Sequence, residues 1–325
     1  MMFSIDRCAG CLAGLALMFG CGLALSSAAA PEKVKPAITA LAATPDGKAY
    51  LHGSQAGVVL RSFDAKDETP LATELDCVHA LAFSPDGKQL AIAGGSPAES
   101  GIAELWSWPE RKLLAKLRGH EDVIYDAIWL PGGKRLATAG GDRTVRIWDM
   151  AARQNVAVLK GHSGAVLSLA ISADGKCLCS GSQDQTIRVW DPEKGQLLRS
   201  FDNHFGPVHA LAFRSVQEAG RPPYLASASE DGTVRVWQPT IGRMVRIIKH
   251  PSPVRGVVWS GDAEQVFTVA NDGTLRTLED GTATFLKQQQ LTPDRLTTLI
   301  RSGDRLLLGT SRGVVRQVKG GVAVP

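Results

Sequence analysis

Aromatic residues make up only 6% of this 325-residue chain, and charged residues only 21%, with a net charge of +4. Nucleic-acid-binding domains concentrate Lys and Arg on one face or one helix. So mild a surplus leaves no such footprint, and no nucleic-acid partner is expected. Cysteine is scarce as well: six residues, of which Cys8, Cys11 and Cys21 fall in the first thirty. The other three, Cys77, Cys177 and Cys179, are odd in number and make no disulfide framework. Cys177 and Cys179 are two apart, so on a strand they share a face without the geometry of an ordinary disulfide. They read as buried small hydrophobes, with Cys77 the candidate for an exposed one. No segment sustains a helical period. What remains, at 44% hydrophobic residues, is an ordinary globular composition long enough for a large core.

The first thirty residues stand apart. Met1 to Arg7 is a short basic start, Cys8 to Leu25 an uncharged Ala/Leu/Gly/Cys-rich run, and Ser26 to Ala30 a small-residue exit before Pro31. That order is the pattern of a secretory signal peptide, with cleavage after Ala28 or Ala29. The run sits at the lower edge of a membrane span, so an uncleaved anchor is the alternative. Met18-Phe19-Gly20 is a poor match for a lipid-anchored start at Cys21. Cys8-Ala9-Gly10-Cys11 imitates a haem-attachment pair, but Leu12 stands where His is needed.

From there on the chain repeats itself. Thr144-Val145-Arg146-Ile147-Trp148-Asp149 returns as Thr186-Ile187-Arg188-Val189-Trp190-Asp191 and as Thr233-Val234-Arg235-Val236-Trp237-Gln238. Fainter copies lie at Thr274-Leu275-Arg276 and Ile102-Ala103-Glu104-Leu105-Trp106. A second signal, an apolar strand followed by a Pro/Asp/Gly turn, starts at Ile38, Val78, Ile124, Val166, Val208, Val254 and Leu296, giving gaps of 40, 46, 42, 42, 46 and 42 residues. Asp-Gly between apolar runs is a strong hairpin signal. A period of roughly 40–45 residues ending in Trp-Asp marks propeller blades. The expected fold is all-β: a seven-bladed β-propeller of four-stranded antiparallel sheets.

With these motifs the chain resembles a WD40-repeat β-propeller over residues 32–325, after a leader at 1–29. Blades 3, 4 and 5 follow the family pattern; blades 1, 6 and 7 are degenerate, with Leu278 where blade 6 should carry Trp. The resemblance implies that an N-terminal strand, here Glu32 to Ala37, closes the last blade, whereas Gly321 to Pro325 could finish blade 7 on its own.

Three sets of residues look like chemistry: His120/Thr138/Asp142/Trp148, His162/Ser180/Asp184/Trp190 and His204/Ser227/Asp231/Trp237. A fourth, His250/Thr268/Asp272, lacks its Trp. Ser, His and Asp together invite a nucleophilic-triad reading. Near-identical copies outside any unique pocket argue instead for structure. Similar propellers use these side chains as a buried relay from indole to hydroxyl to imidazole to carboxylate. Gly309-Thr310-Ser311-Arg312-Gly313 matches a nucleophile elbow in letters only, because that motif needs a helix after the Ser. The Gly-Lys pairs lack the Ser or Thr of a phosphate loop. His52, His79 and His209 lie in separate blades, so no metal site is expected, and no catalytic residue or cofactor. Arg146, Arg188, Arg235, Arg276 and Arg316 recur once per blade and read as solvated edge charges that discourage strand addition.

The resemblance also implies a partner face at the narrow end, lined by residues flanking each blade's first aliphatic position and by those before each turn Asp. Carried over, these are His79, Tyr125, Leu167, His209 and Arg255, with Gln183, Glu230 and Asn271, and the blade-2 insertion Ser96 to Gly101 beside them. The expectation is a monomeric, exported, bacterial scaffold, periplasmic or extracellular, that binds other proteins without catalysis or a stable membrane span. The alternatives are an enzyme or ligand-binding propeller using the central channel, and the same scaffold held in a membrane by its uncleaved leader.

Overall fold

In a computed structural model the described residues are 35–64, 67–215, 222–279, 284–320 and 322–324. The leader, Glu32 to Val34, and most of the loop from Ser215 to Pro223 lie outside them. The described residues form seven four-stranded antiparallel sheets: residues 40–71, 78–120, 124–159, 166–201, 208–249, 254–290 and 296–324. The chain is a seven-bladed β-propeller. Within each blade the strands run in chain order from the channel outwards, so hairpins make every connection.

The local chemistry of the inner hairpin explains its regularity. In blade 4, Ser172 Oγ donates to Asp174 Oδ1 (2.6 Å), Lys176 N donates to the same oxygen (3.1 Å), and Gly175 takes φ +72°. Thr44/Asp46/Gly47 and Ser84/Asp86/Gly87 repeat the arrangement. The carboxylate stands in for a backbone acceptor, and glycine reaches positive φ without a Cβ clash.

The core lies between blades. Ala137, Val145, Ile147 and Leu159 of blade 3 pack on Val166, Leu169, Leu178 and Trp190 of blade 4. Cys179, Ile187, Val189 and Phe201 of blade 4 likewise pack on Val208, Leu225 and Trp237 of blade 5. Each such large apolar side chain contributes roughly 1.5–3 kcal/mol on burial. Every sheet therefore depends on its neighbours, and the ring must close.

Blade 7 receives its outer strand, Val322–Val324, from its own end of the chain, paired with Gln317 to Lys319. Blade 1 meets blade 7 where Ile38 N donates to Thr310 O (3.0 Å) and Thr297 Oγ1 donates to Ile38 O (2.6 Å). Ile38 and Tyr50 pack on Leu307 across that seam.

Two sequence expectations need correction. Cys77 is buried, 8% exposed, because its residue leads into an inner strand under the blade-2 hairpin; its carbonyl accepts from Gly95 N (3.0 Å). Cys177 and Cys179 are buried free thiols that share a hydrogen bond, with sulfurs 3.9 Å apart. The arginine ladder is not an edge feature either, since its strand is third of four and paired on both sides. The side chains of Arg235 and Arg276 are only 5% exposed, folded back onto Asp231 (3.6 Å) and Asp272 (2.6 Å) four residues earlier. Arg316 alone of the five is exposed: Arg312 stands where the turn Asp would be.

Candidate interaction face

The four-residue sets of blades 3–5 are joined by hydrogen bonds. In blade 4, Trp190 Nε1 donates to Ser180 Oγ (2.8 Å), which lies 2.8 Å from His162 Nε2, while His162 Nδ1 lies 2.9 Å from Asp184 Oδ2. Blade 3 gives 2.8, 2.8 and 2.9 Å through Trp148, Thr138, His120 and Asp142. Blade 5 gives 2.9, 2.8 and 2.8 Å through Trp237, Ser227, His204 and Asp231. The imidazole comes from the end of the preceding blade, so each relay stitches two sheets. Every polar atom of the relay has a partner, the condition for burying it. Burial pushes the Asp142 carboxyl upward, but the His120 hydrogen bond and charge, with the Thr144 hydroxyl, outweigh it and bring the carboxyl down to about 2. Asp184 and Asp231 are lowered in the same way, by His162 and His204 against burial.

Blade 6 has the same imidazole and carboxylate but no relay. Neither ring nitrogen of His250 finds a hydrogen bond, and Thr268 Oγ1 turns to Arg276 O (3.5 Å). Asp272 is taken by Arg276, whose Nη2 lies 2.6 Å from Oδ2. Without an indole to hold the hydroxyl, the carboxylate goes to the stronger donor. His250 is left against Phe285, with ring centroids 5.1 Å apart.

Blade 2 solves the same problem with a different residue. Glu104, in the position held elsewhere by arginine, is 1% exposed and accepts from Trp106 Nε1 (3.1 Å) and Thr73 Oγ1 (2.9 Å). Lys116 Nζ lies 3.8 Å from its other oxygen. The sequence signal is the sign reversal at one rung of the ladder.

At the channel mouth, one residue after each blade's first aliphatic position, His79, Tyr125, Leu167, His209 and Arg255 line a common depression of about 390 Å³ with Asn271. Arg255 is its hub. Nε donates to Asn271 Oδ1 (2.9 Å), Nη2 pairs with Glu230 Oε2 (2.8 Å) and Nη1 lies 2.7 Å from His209 Nε2. His209 Nε2 is also 2.8 Å from Glu230 Oε2. Burial, then the charge of Arg255, lowers the imidazole, against the pull of Glu230. A neutral ring serves one neighbour per tautomer: it donates to Glu230 or accepts from Arg255. Across the mouth His79 and Tyr125 meet edge to face, 5.2 Å apart. Thus four of the eight face residues form one network, two form an aromatic pair and Leu167 adds apolar surface. Gln183 is exposed on its turn and joins neither group. The blade-2 insertion lies beside the leads into two inner strands: Ala98 N donates to Asp122 Oδ1 (2.8 Å) and Ser96 Oγ to Asp76 Oδ2 (2.7 Å).

Two residues there escaped the sequence reading. Phe205, directly after the relay histidine of blade 5, is 83% exposed, and the Arg235 guanidinium stands 5.8 Å from its ring centre. Asp126 lines the channel and ties blade 3 to blade 4, accepting from Ala127 N (2.8 Å) and Leu169 N (2.7 Å). Burial raises its carboxyl to about 6 against those two amide bonds. With both oxygens occupied, its chemistry is that of a tie between blades. Among the described residues no group of three or more His, Cys, Asp or Glu is placed to hold a metal ion, and no helix is long and apolar enough to cross a membrane.

A ring of four-stranded blades stitched by repeated indole–hydroxyl–imidazole–carboxylate relays defines a WD-type propeller. The family model described as "WD domain, G-beta repeat" matches residues 111–149, 153–191, 195–238 and 242–277, the last ending just before Leu278. The chain belongs to the WD40-repeat family. It is also similar to an intraflagellar transport protein 122 homolog of Homo sapiens, 35% identical over 71 residues, which is 22% of this chain and 5% of that protein. A second relative, the UBP9-binding protein bun62 of Schizosaccharomyces pombe, is 40% identical over 75 residues, 21% of this chain and 12% of that protein. The chain thus matches only a small part of each relative. Segments this short speak for the repeat rather than for source or role.

Proposed function

We propose that this propeller is a non-catalytic scaffold for protein–protein interaction, and that its partner binds the channel mouth between blades 2 and 6. The observation that carries this reading is the Arg255 hub. Three side chains from three inner-strand and turn segments hold one guanidinium within 2.7–2.9 Å. Arginine and tyrosine lining one mouth are residue types enriched at interface hot spots, and ordering the arginine in advance lowers the entropy cost of binding. Tyr125 and Arg255 are the anchors, Leu167 and Phe205 supply apolar area, and Glu230 and Asn271 keep Arg255 in place. The name of the yeast relative, a binding protein, agrees with such a role.

We further propose that the scaffold is exported to a periplasmic or extracellular compartment of a bacterium and works there as a monomer. The support for export is the composition of residues 1–30, a basic start, an apolar run and a small-residue exit, and the support for a bacterial source is that leader taken together with the free thiols. Intact-mass measurement of the mature protein checks it: a new N-terminus at Ala29 or Ala30 is expected, and a retained Met1 would favour an anchored form.

The partner face is tested by affinity capture from the native host with wild type and a Tyr125→Ala/Arg255→Glu variant, both shown to be folded by circular dichroism. A protein held by wild type and lost from the variant is expected. Capture unaffected by the variant would move the interface elsewhere.

A further inference from the structure

Blade 7 departs from the repeat by reversing a charge at its mouth-side turn. In blades 3 to 6 the turn between the second and third strands carries an aspartate, Asp142, Asp184, Asp231 or Asp272, with the ladder arginine four residues on. In blades 3, 5 and 6 the two pair, at 4.0, 3.6 and 2.6 Å. Blade 7 keeps the arginine in register, Arg316 facing Leu308 as Arg276 faces Thr268. In place of the aspartate stands Arg312. Two cations therefore occupy the positions of an ion pair, and the turn supplies no carboxylate between them.

The turn tolerates the reversal because another group has taken over its capping. Elsewhere the aspartate accepts from the backbone N–H two residues on, as Asp142 does from Thr144 N (3.0 Å). In blade 7 the equivalent Val314 N donates to Thr310 Oγ1 (3.1 Å), which releases position 312 from holding the turn. Among the described residues the short outer strand pairs only with Gln317 to Lys319, so Arg316 lacks the cross-strand neighbour that Gln288 gives Arg276. Arg312 and Arg316 are both exposed.

Two more cations gather round the same turn. Ser311 N donates to Arg295 O (2.9 Å), and Lys35 runs so close that a Cβ at Gly313 would stand 2.5 Å from its own Cβ. Both side chains are exposed. The carboxylate among them is Asp294, which pairs with Arg312 Nε (2.9 Å) through Oδ1 and accepts from Thr292 Oγ1 (3.2 Å) through Oδ2. Neighbouring charges are matched: Arg276 with Asp272, Arg255 with Glu230 and, in blade 1, Arg61 with Glu68. Among the described residues none of Lys35, Arg295 and Arg316 has an ion-pair partner. Four cations against one carboxylate give the rim a potential that draws anions.

We infer that the blade-7 rim binds an acidic segment of the partner protein, with one of its carboxylates between Arg312 and Arg316, where the repeat elsewhere places its own aspartate. Arg295 and Ser311 line the same depression as Arg255, so the rim continues the interaction face, and the inference rests on that face being the partner site. A carboxylate is the matched ligand because the same hairpin geometry pairs one with arginine in three other blades. Each contact is charge-assisted, and exposure keeps it modest and sensitive to salt.

The test is isothermal titration calorimetry of the full-length protein at low ionic strength, with a capped hexapeptide of alternating glutamate and aspartate and with its glutamine/asparagine counterpart. Saturable binding of the acidic peptide is expected, about tenfold or more tighter than the counterpart and weakened by added salt. Arg312→Asp puts back the residue that four other blades carry and fills the position from within, so it should abolish binding. Arg295→Gln and Arg316→Gln should each weaken binding about two- to fivefold. Lys134→Glu, an equal change of charge on an exposed turn of blade 3, should leave binding unchanged. Equal binding of the two peptides overturns the inference. So does binding that survives Arg312→Asp, or that falls equally with Lys134→Glu. Phosphatidylglycerol vesicles held through Arg312, without peptide binding, would assign the rim to a lipid surface and overturn it too. Affinity capture keeps the rim and the mouth distinct. If capture is lost from Tyr125→Ala/Arg255→Glu but the peptide does not bind, the acidic segment falls and the mouth stands. If the peptide binds and capture is lost from Arg312→Asp alone, the mouth falls and the rim stands.

Discussion

Blades 4 and 6 share an inner turn, a histidine four residues ahead of the first aliphatic position and a turn aspartate, yet one holds a closed relay and the other a broken one. Thr268 replaces Ser180, a change that the closed relay of blade 3 accommodates with Thr138, so the replacement that separates them is Leu278 at the position of Trp190. The indole is the donor that fixes Ser180, which fixes His162, which fixes Asp184. Without it Asp272 is free for Arg276, and a buried imidazole loses both partners. Buried polar chains behave in this all-or-none way because each member is oriented by the one before it.

The sharpest way to test that difference is to make the same substitution in both places. His162→Leu strips partners from Ser180 and Asp184, and a loss of about 3–4 kcal/mol is expected. His250→Leu removes an imidazole that already lacks them, so it should be neutral or stabilise by up to about 1 kcal/mol. Parallel urea melts of the two variants read both numbers. Equal losses in the two blades would show that the relay contributes nothing beyond packing.

Acid should separate the same two blades. The relay carboxylates are lowered in the folded state, so their contribution is present above the unfolded value of 3.8 and lost as pH falls through the folded one, about 2 for Asp142. His250 loses stability in the same direction but in a higher pH window. Burial, reinforced by the charge of Arg276 and opposed by Asp272, lowers it from 6.5 to about 4. The unfolded chain therefore takes up a proton that the folded chain refuses, and stability falls as pH drops from 6.5 to about 4, by about 3 kcal/mol for this group. Burial shifts His52, His79, His204 and His209 the same way. The readout is thus the difference between wild type and His250→Leu across that window. The variant should lose less stability between neutral pH and pH 4, and identical slopes would refute the orphaned imidazole.

How far the sequence foretells this molecule follows from what periodicity records. A period of 40–46 residues and recurring Asp-Gly turns mark the blades and their number, because each hairpin must solve the same local problem. The spacing of His, hydroxyl, Asp and Trp is visible for the same reason, and so is Leu278 as a break in it. Competition between neighbours is not visible. The arginine ladder looks like a solvent-facing column until the strand beside it is known, and only then does Arg276 emerge as the rival for Asp272. Glu104 registers as a sign change whose meaning needs Trp106 on the same face. The Arg255 hub joins residues 209, 230, 255 and 271, none adjacent in sequence. That Val318 stands at the position of three tryptophans is legible only once the strands are aligned in register.

The smallest expected difference lies in the inner turns. Blade 4 places Gly175 at φ +72°, and blade 6 places Ala263 at φ +62° in the same position after Ser260 and Asp262. An alanine in the left-handed region costs roughly 1–2 kcal/mol, and a glycine gives back about 0.5–1 kcal/mol through the freedom of its unfolded chain. Ala263 is also fully buried, so its methyl group recovers part of the strain. Ala263→Gly should therefore stabilise by no more than about 0.5 kcal/mol. The reverse change, Gly175→Ala, meets only ordinary contacts, Pro131 Cγ at 3.5 Å; it should destabilise by about 0.5–1 kcal/mol, the backbone strain less the freedom that the unfolded chain loses with its glycine. Thermal melts of the two variants side by side measure the pair. A destabilised Ala263→Gly would show that packing of the buried methyl, and not the turn, keeps alanine in blade 6.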